Sequence, residues 1–149
     1  MMSNPGPEHA WLQQLVGEWT YEMVGEPFKG ADVVRSIGPV WIQSESTGVG
    51  MDGTPTTALL TLGFDPRKQR YVGTWTGSMM DFLWVYEGTR SGDVLTLDTV
   101  GPNFDVEGTM ANYREVITLK TPDEREFESF IQKADGSWNP LMKMVSRRK

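Results

Sequence analysis

The sequence predicts an all-β protein, an antiparallel up-and-down barrel of about ten strands that follows one short helix. Apolar and polar residues alternate with a period of two from residue 18 onward, which is typical of half-buried strands. Gly, Pro and Asp, which favour turns, recur along the chain at short, even intervals. A Gly-x-Trp motif, Gly17-Glu18-Trp19, opens the first strand, where a Trp ring can fill the closed end of a barrel. A closed barrel is favoured over a sandwich because closure removes exposed sheet edges.

The helix is predicted over residues 8–16. Trp11, Leu12, Leu15 and Val16 fall on one helical face, and Gly17 is placed to end the helix. A helix of this length is unstable alone, so we expect it to pack against one end of the barrel.

The strands follow in order, each bounded by turn residues. Gly25–Pro27, Gly38-Pro39 and Asp52-Gly53 separate the first four strands, and Pro66 marks the type I turn after the fourth. Later turns lie at Pro122-Asp123 and Asp135-Gly136. The predicted strands cover residues 18–23, 29–37, 40–49, 56–64, 70–76, 81–87, 94–100, 112–121, 125–133 and 138–146.

The chain is predicted to form one domain over residues 1–149, with the barrel at about residues 17–147. A net charge of -6 argues against nucleic acid and against anionic membrane surfaces as partners. The basic cluster Arg147–Lys149 is interpreted as a solvated tail. The chain has no Cys, which excludes disulfides and thiolate zinc sites. Its first ten residues contain no Lys, no Arg and no apolar segment, and no stretch is apolar enough to span a membrane, which predicts cytoplasmic localisation.

Several segments resemble the DUF1579 family of bacterial proteins over nearly the whole chain. They are the stretches His9–Trp19, Leu62–Pro66, Tyr71–Trp75, Gly77–Met80, Leu83–Gly88 and Gly108–Met110. The resemblance implies a calycin-type, lipocalin-like barrel without an assigned biochemical function, related to lipocalins, fatty-acid-binding proteins and haem-binding nitrobindins.

A haem site of the nitrobindin type needs an axial His on a late strand. The single His of this chain, His9, precedes the barrel. Relatives often carry a His just after the Ser-Met-Met run, where this sequence reads Asp81-Phe82-Leu83. No cofactor is therefore predicted.

Strand parity suggests a charged pair inside the barrel. Arg35 shares a face with Val33 and Ile37, and Glu115 shares one with Tyr113 and Ile117. If these faces point inward, the two charges need each other, a Tyr hydroxyl or a polar ligand group, as in fatty-acid-binding barrels. A β-bulge that shifts the parity would instead place both charges in solvent.

An aromatic and Met-rich group is the other candidate for a binding site. Trp75, Met80, Trp84 and Tyr86 are suited to lining a pocket for a flat or oily ligand. The alternative is that they only fill the core, since small barrels are often packed solid.

Three functions follow from these observations. The first is a protein that binds a small apolar or amphipathic molecule through Arg35, Trp75, Met80, Trp84, Tyr86, Tyr113 and Glu115. The second is a packed structural barrel, without ligand, that forms a homo-oligomer. The third is an acid/base enzyme that uses Glu115 with help from Tyr113. No catalytic residue and no metal ligand are assigned, and non-enzymatic binding is favoured.

Overall fold

The computed structural model describes residues 3–50 and 52–149 and forms a closed antiparallel barrel. Its elements are the helix α1 (Pro7–Gln13) and the strands β1 (Gly17–Met23), β2 (Lys29–Ile37), β3 (Trp41–Val49), β4 (Pro55–Asp65), β5 (Arg70–Gly77), β6 (Trp84–Ser91), β7 (Val94–Pro102), β8 (Met110–Thr121), β9 (Glu124–Gln132) and β10 (Trp138–Arg148).

Strands that are consecutive in sequence are neighbours in the sheet, and β1 pairs with β10 to close it. The pairing of Trp19 with Arg148 belongs to this closing contact. Every one of these strands therefore has two hydrogen-bonded neighbours, and the predicted up-and-down barrel is confirmed.

The helix is shorter than the predicted 8–16. It ends at Gln13, and the amides of Leu15 and Val16 bond to carbonyls three residues back, at Leu12 and Gln13. This tighter turn redirects the chain into β1 at Gly17. α1 packs against β3 and β4, so it covers one end of the barrel, as expected.

Trp19 occupies the covered end of the barrel. Its side chain is fully buried, and its indole Nε1 donates to the Leu15 carbonyl at 2.9 Å. The guanidinium of Arg148 lies 4.2 Å from the centre of the indole ring. The role predicted for the Gly-x-Trp motif therefore agrees with the structure.

Arg148 corrects the interpretation of the C-terminus as a solvated tail. β10 runs to this residue, and its guanidinium donates to the carbonyls of Val16 and Gln14 at 2.8 and 2.9 Å. These bonds fasten the segment after α1 to the last strand.

The sixth strand also differs from its prediction in a way that affects the interior. The strand predicted at 81–87 is observed as β6 at Trp84–Ser91, so residues 78–83 form a loop. Residues 103–109 form a second loop, between β7 and β8, at the same end of the barrel. This end lies opposite α1.

In the described part of the chain, no helix is long and apolar enough to cross a membrane.

Candidate functional site

A cavity of about 270 Å³ lies inside the barrel. Apolar side chains form most of its wall, including aromatic rings and the methionines Met80, Met142 and Met144. A smaller number of polar side chains also reach it. An apolar enclosure with a few polar groups is the usual composition of a small-molecule site.

Six of the seven predicted site residues line this cavity. They are Trp75, Met80, Trp84, Tyr86, Tyr113 and Glu115. The alternation on β6 and β8 places four of them there, because Trp84 and Tyr86 share one face of β6, and Tyr113 and Glu115 share one face of β8. The structure thus brings these residues together, and their role in ligand binding remains a prediction.

The seventh predicted residue, Arg35, does not belong to the cavity. Its side chain is 58% exposed and lies 3.6 Å from Glu45 on the outside of the barrel. The buried residues of β2 are Asp32 and Val34, one position out of step with Arg35. The inward orientation predicted for Arg35 is therefore wrong, because the opposite face of this regular strand points inward.

Four aromatic rings cluster where the two loops meet the cavity. Trp84 makes edge contacts with Phe82 and Tyr113, each with ring centres 5.1 Å apart, and Phe104 packs 5.5 Å from Tyr113. The indole Nε1 of Trp84 also donates to the Met80 sulfur at 3.3 Å. Side chains of both loops thereby become part of the cavity wall.

The hydroxyl of Tyr113 is hydrogen-bonded to backbone groups where β7 ends and the next loop begins, and not to another cavity residue. It donates to the Pro102 carbonyl at 2.5 Å and accepts from the Phe104 amide at 3.2 Å. Tyr113 therefore offers its ring to the cavity, while its hydroxyl is already used. The hypothesis that Tyr113 assists Glu115 in acid/base chemistry loses its geometric support.

Glu115 is the most perturbed carboxyl group of the site. Its side chain is buried, and its Oε2 atom has no hydrogen-bond partner. Burial raises the pKa of Glu115 to about 8, and the hydroxyl of its cross-strand neighbour Ser129 offsets part of that rise. At neutral pH the group is therefore mostly a neutral carboxylic acid, which can donate a hydrogen bond.

Tyr86 lies close enough to Glu115 for their charges to interact. Burial raises the pKa of the Tyr86 phenol, and the negative charge of Glu115 raises it further. Both groups are consequently protonated at neutral pH, which places two O–H groups on one part of the cavity wall.

Sequence reasoning missed an ion pair at the other side of the cavity. Arg125 Nη2 donates to Asp32 Oδ2 at 2.8 Å, and each side chain is only 11% exposed. The other carboxylate oxygen, Asp32 Oδ1, is buried without a partner. A sequence signal existed, since Arg125 shares its strand parity with Phe127 and Ile131.

His9 has a structural role. Its Nδ1 accepts from the Gly6 amide at 3.0 Å, which requires that Nε2 carry the proton donated to the Phe64 carbonyl at 3.1 Å. Nδ1 thus caps the start of α1, and Nε2 holds the helix against β4. Among residues 3–50 and 52–149, no group of three or more His, Asp or Glu side chains is arranged to hold a metal ion.

The chain belongs to the DUF1579 family, a family of proteins of unknown function, whose model matches residues 4–148. This match confirms the resemblance seen in the sequence. No protein of curated function is significantly similar to the chain in sequence.

Solved structures with similar folds are β-barrels. Rv2717c from M. tuberculosis has a TM-score of 0.64 at 16% identity, with 98% of this chain and 99% of that one covered. The redesigned barrel b11L5F_LGL has a TM-score of 0.52 at 15% identity, with 99% of each chain covered. The redesigned barrel mFAP0, bound to DFHBI, has a TM-score of 0.50 at 14% identity, with 91% and 100% covered. At sequence identities this low, the similarity of these structures shows only a shared fold.

Proposed function

We propose that this protein binds a small, predominantly apolar molecule inside the barrel. The observation that carries the proposal is the interior cavity of about 270 Å³, whose lining residues include Asp32 and Glu115, each with a buried carboxyl oxygen that lacks a partner. A buried polar atom that lacks a hydrogen bond destabilises a protein by about 1–3 kcal/mol. A ligand that bonds to these oxygens would remove that penalty.

The composition of the wall supports the same function. Trp75, Trp84 and Phe104 provide flat apolar surfaces, and Met80 and Met142 provide adaptable ones. Designed barrels with a similar fold were solved with the dye DFHBI bound, which illustrates that a barrel of this fold accommodates a small molecule.

The packed structural barrel is less well supported, because a barrel that serves only as a scaffold has no need of a cavity bordered by carboxyl groups with an unpaired oxygen. Homo-oligomer formation and cytoplasmic localisation stay predictions from the sequence.

Two measurements test the proposed function. Native mass spectrometry of freshly purified protein, compared with a denatured sample, is expected to reveal a released small molecule. Titration with 6-propionyl-2-dimethylaminonaphthalene, an uncharged fluorophore, is expected to give a saturable blue shift as the dye leaves water.

A cavity-filling variant makes the test specific to the interior. Ser46→Phe directs a ring into the cavity, whereas Thr47→Phe places the same ring on the exposed side of β3. We expect only Ser46→Phe to abolish dye binding. Equal binding by both variants, or the absence of both dye binding and a released molecule in the unaltered protein, would contradict the proposal.

A further inference from the structure

The cavity contains two separate polar sites. The Asp32 site consists of Asp32 with Arg125, and the Glu115 site consists of Glu115 with Tyr86. On β9, Arg125 lies four residues before Ser129, the cross-strand neighbour of Glu115. Four residues of extended strand span about 13 Å.

An apolar layer lies between the two sites. Along β8 and β9, the pair Phe127 and Ile117 falls between the level of Arg125 and the level of Glu115, and both side chains line the cavity. A molecule that touches both polar sites must therefore be apolar in its middle.

The Asp32 site calls for a hydrogen-bond donor. Oδ2 of Asp32 already accepts from Arg125, and Oδ1 is buried without a partner. A carboxylate that is paired with an arginine offers only acceptor atoms. The group that complements Oδ1 is consequently an O–H or N–H of the ligand.

The Glu115 site calls for a hydrogen-bond acceptor. Oε2 of Glu115 is also buried without a partner, and the burial that raises its pKa to about 8 keeps the group protonated at neutral pH. The protonated Tyr86 phenol lies in the same part of the wall. Two O–H donors in an apolar surrounding are suited to a carbonyl or ether oxygen.

The charge of the cavity favours a neutral molecule. Asp32 and Arg125 neutralise each other at 2.8 Å, and Glu126, which also lines the cavity, pairs with Lys143 at 3.5 Å. With Glu115 protonated, no cation among the charged side chains that line the cavity is left for a carboxylate ligand. An ionised head group would therefore enter without a partner, at a large desolvation penalty.

We propose that the ligand is an uncharged, flat molecule with a hydrogen-bond donor at one end, bound by Asp32 Oδ1, and an acceptor at the other, bound by Glu115. This inference rests on the proposed function. It adds the chemical class of the ligand and excludes fatty acids and other carboxylates as preferred ligands.

Three matched probes test the inference on the unaltered protein. 6-Acetyl-2-naphthol has both groups, 6-methoxy-2-acetonaphthone lacks the donor, and 6-ethyl-2-naphthol lacks the acceptor. Their affinities are measured by isothermal titration calorimetry at about pH 6, where phenols and Glu115 are protonated. We expect 6-acetyl-2-naphthol to bind about tenfold more tightly than either analogue, as the loss of one good hydrogen bond predicts.

A variant of Glu115 tests whether this residue causes the preference for a ligand with a hydrogen-bond acceptor. In Glu115→Leu, 6-acetyl-2-naphthol is expected to lose its higher affinity relative to 6-ethyl-2-naphthol. It is expected to keep its higher affinity relative to 6-methoxy-2-acetonaphthone. Glu87→Leu, on the exposed face of β6, is the matched control and is expected to change neither preference.

The outcomes separate this inference from the proposed function. Equal affinities of the three probes, or tighter binding of 6-carboxy-2-naphthol than of the acetyl compound, would overturn the inference while leaving the binding function in place. If no probe binds and native mass spectrometry reveals no released molecule, both proposals fail.

Discussion

Arg125 and Asp32 form an ion pair across the barrel, with Nη2 of the arginine 2.8 Å from Oδ2 of the carboxylate. The two residues are 93 positions apart in sequence, on β9 and β2. Arg125 also lies 4.6 Å from the centre of the Trp19 ring. The ion pair thus connects the cavity with the end of the barrel that α1 covers.

Breaking this pair is expected to destabilise the fold strongly. Arg125→Met leaves the carboxylate of Asp32 buried without a counter-ion, which should lower the free energy of unfolding by about 3–5 kcal/mol. The double variant Asp32→Leu/Arg125→Met removes both charges and should recover most of the loss. Urea denaturation followed by Trp fluorescence measures both effects.

Arg35 offers the matched control for that experiment. Its partner Glu45 is 3.6 Å away, and both side chains are well exposed. Arg35→Met should change the free energy of unfolding by less than about 1 kcal/mol, because exposed pairs are weak. A loss as large as that of Arg125→Met would mean that the assignment of Arg35 to the outside is mistaken.

The buried Glu115 predicts a dependence of stability on pH. Its pKa is about 8 in the folded protein, against an ordinary pKa of 4.5 for a Glu side chain in the unfolded chain. Between these values the folded state binds the extra proton, so the free energy of unfolding should fall as pH rises from 4.5 to 8 and then level off.

Glu115→Gln tests this dependence because its amide has the same shape and does not titrate. The variant should gain stability relative to the unaltered protein as pH rises through that interval, by several kcal/mol at the upper end. Urea denaturation at a series of pH values measures the difference. Parallel curves for the two proteins would show that Glu115 ionises at its ordinary pKa.

Gly101 leaves room for the Trp84 ring. A Cβ atom at position 101 would overlap the six-membered part of the indole, which forms part of the cavity wall. Gly101→Ala should therefore displace Trp84, lower the free energy of unfolding by about 1–3 kcal/mol and change the near-UV circular dichroism.

Gly50 is the control for Gly101, since a Cβ atom there meets its nearest neighbour at 3.4 Å, an ordinary contact. Gly50→Ala should leave the near-UV spectrum unchanged. If Gly101→Ala behaves in the same way, the close packing of Trp84 on β7 is not present in solution.

The sequence was sufficient to predict the barrel and most of the cavity wall. On β6 and β8 the inward residues are large and mostly apolar, so the alternation around Trp84 and Tyr113 indicates the inward face. On β2 the same rule fails. The inward face contains Asp32, while the outward face contains Val33 and Ile37, so counting apolar residues selects the wrong side.

The pairing of Asp32 with Arg125 illustrates a second limit of sequence reasoning. A strand pattern indicates which residues share a face, and it does not indicate which distant strands face each other across a closed barrel. Arg125 could have been placed inward from Phe127 and Ile131, but its partner could be identified only from the closed topology.

Arg148 joins three parts of the chain at the covered end of the barrel. Its guanidinium donates to the carbonyls of Val16, Gln14 and Pro122 at 2.8, 2.9 and 3.0 Å. A lysine has one ammonium group and cannot reproduce this planar set of donors. Arg148→Lys should therefore lower the free energy of unfolding by about 1–3 kcal/mol and speed amide exchange in the segment between α1 and β1.

The neighbouring Arg147 separates this effect from a simple change of basic residue. Its side chain is 61% exposed and lies 3.4 Å from Glu124 on the outside of the barrel. Arg147→Lys keeps the charge and should leave both the urea midpoint and the amide exchange rates unchanged. Equal behaviour of the two lysine variants would mean that Arg148 acts only through its charge. A loss of stability in Arg148→Lys alone, together with faster amide exchange before Gly17, would establish that the contacts of Arg148 with backbone carbonyls stabilise the covered end of the barrel.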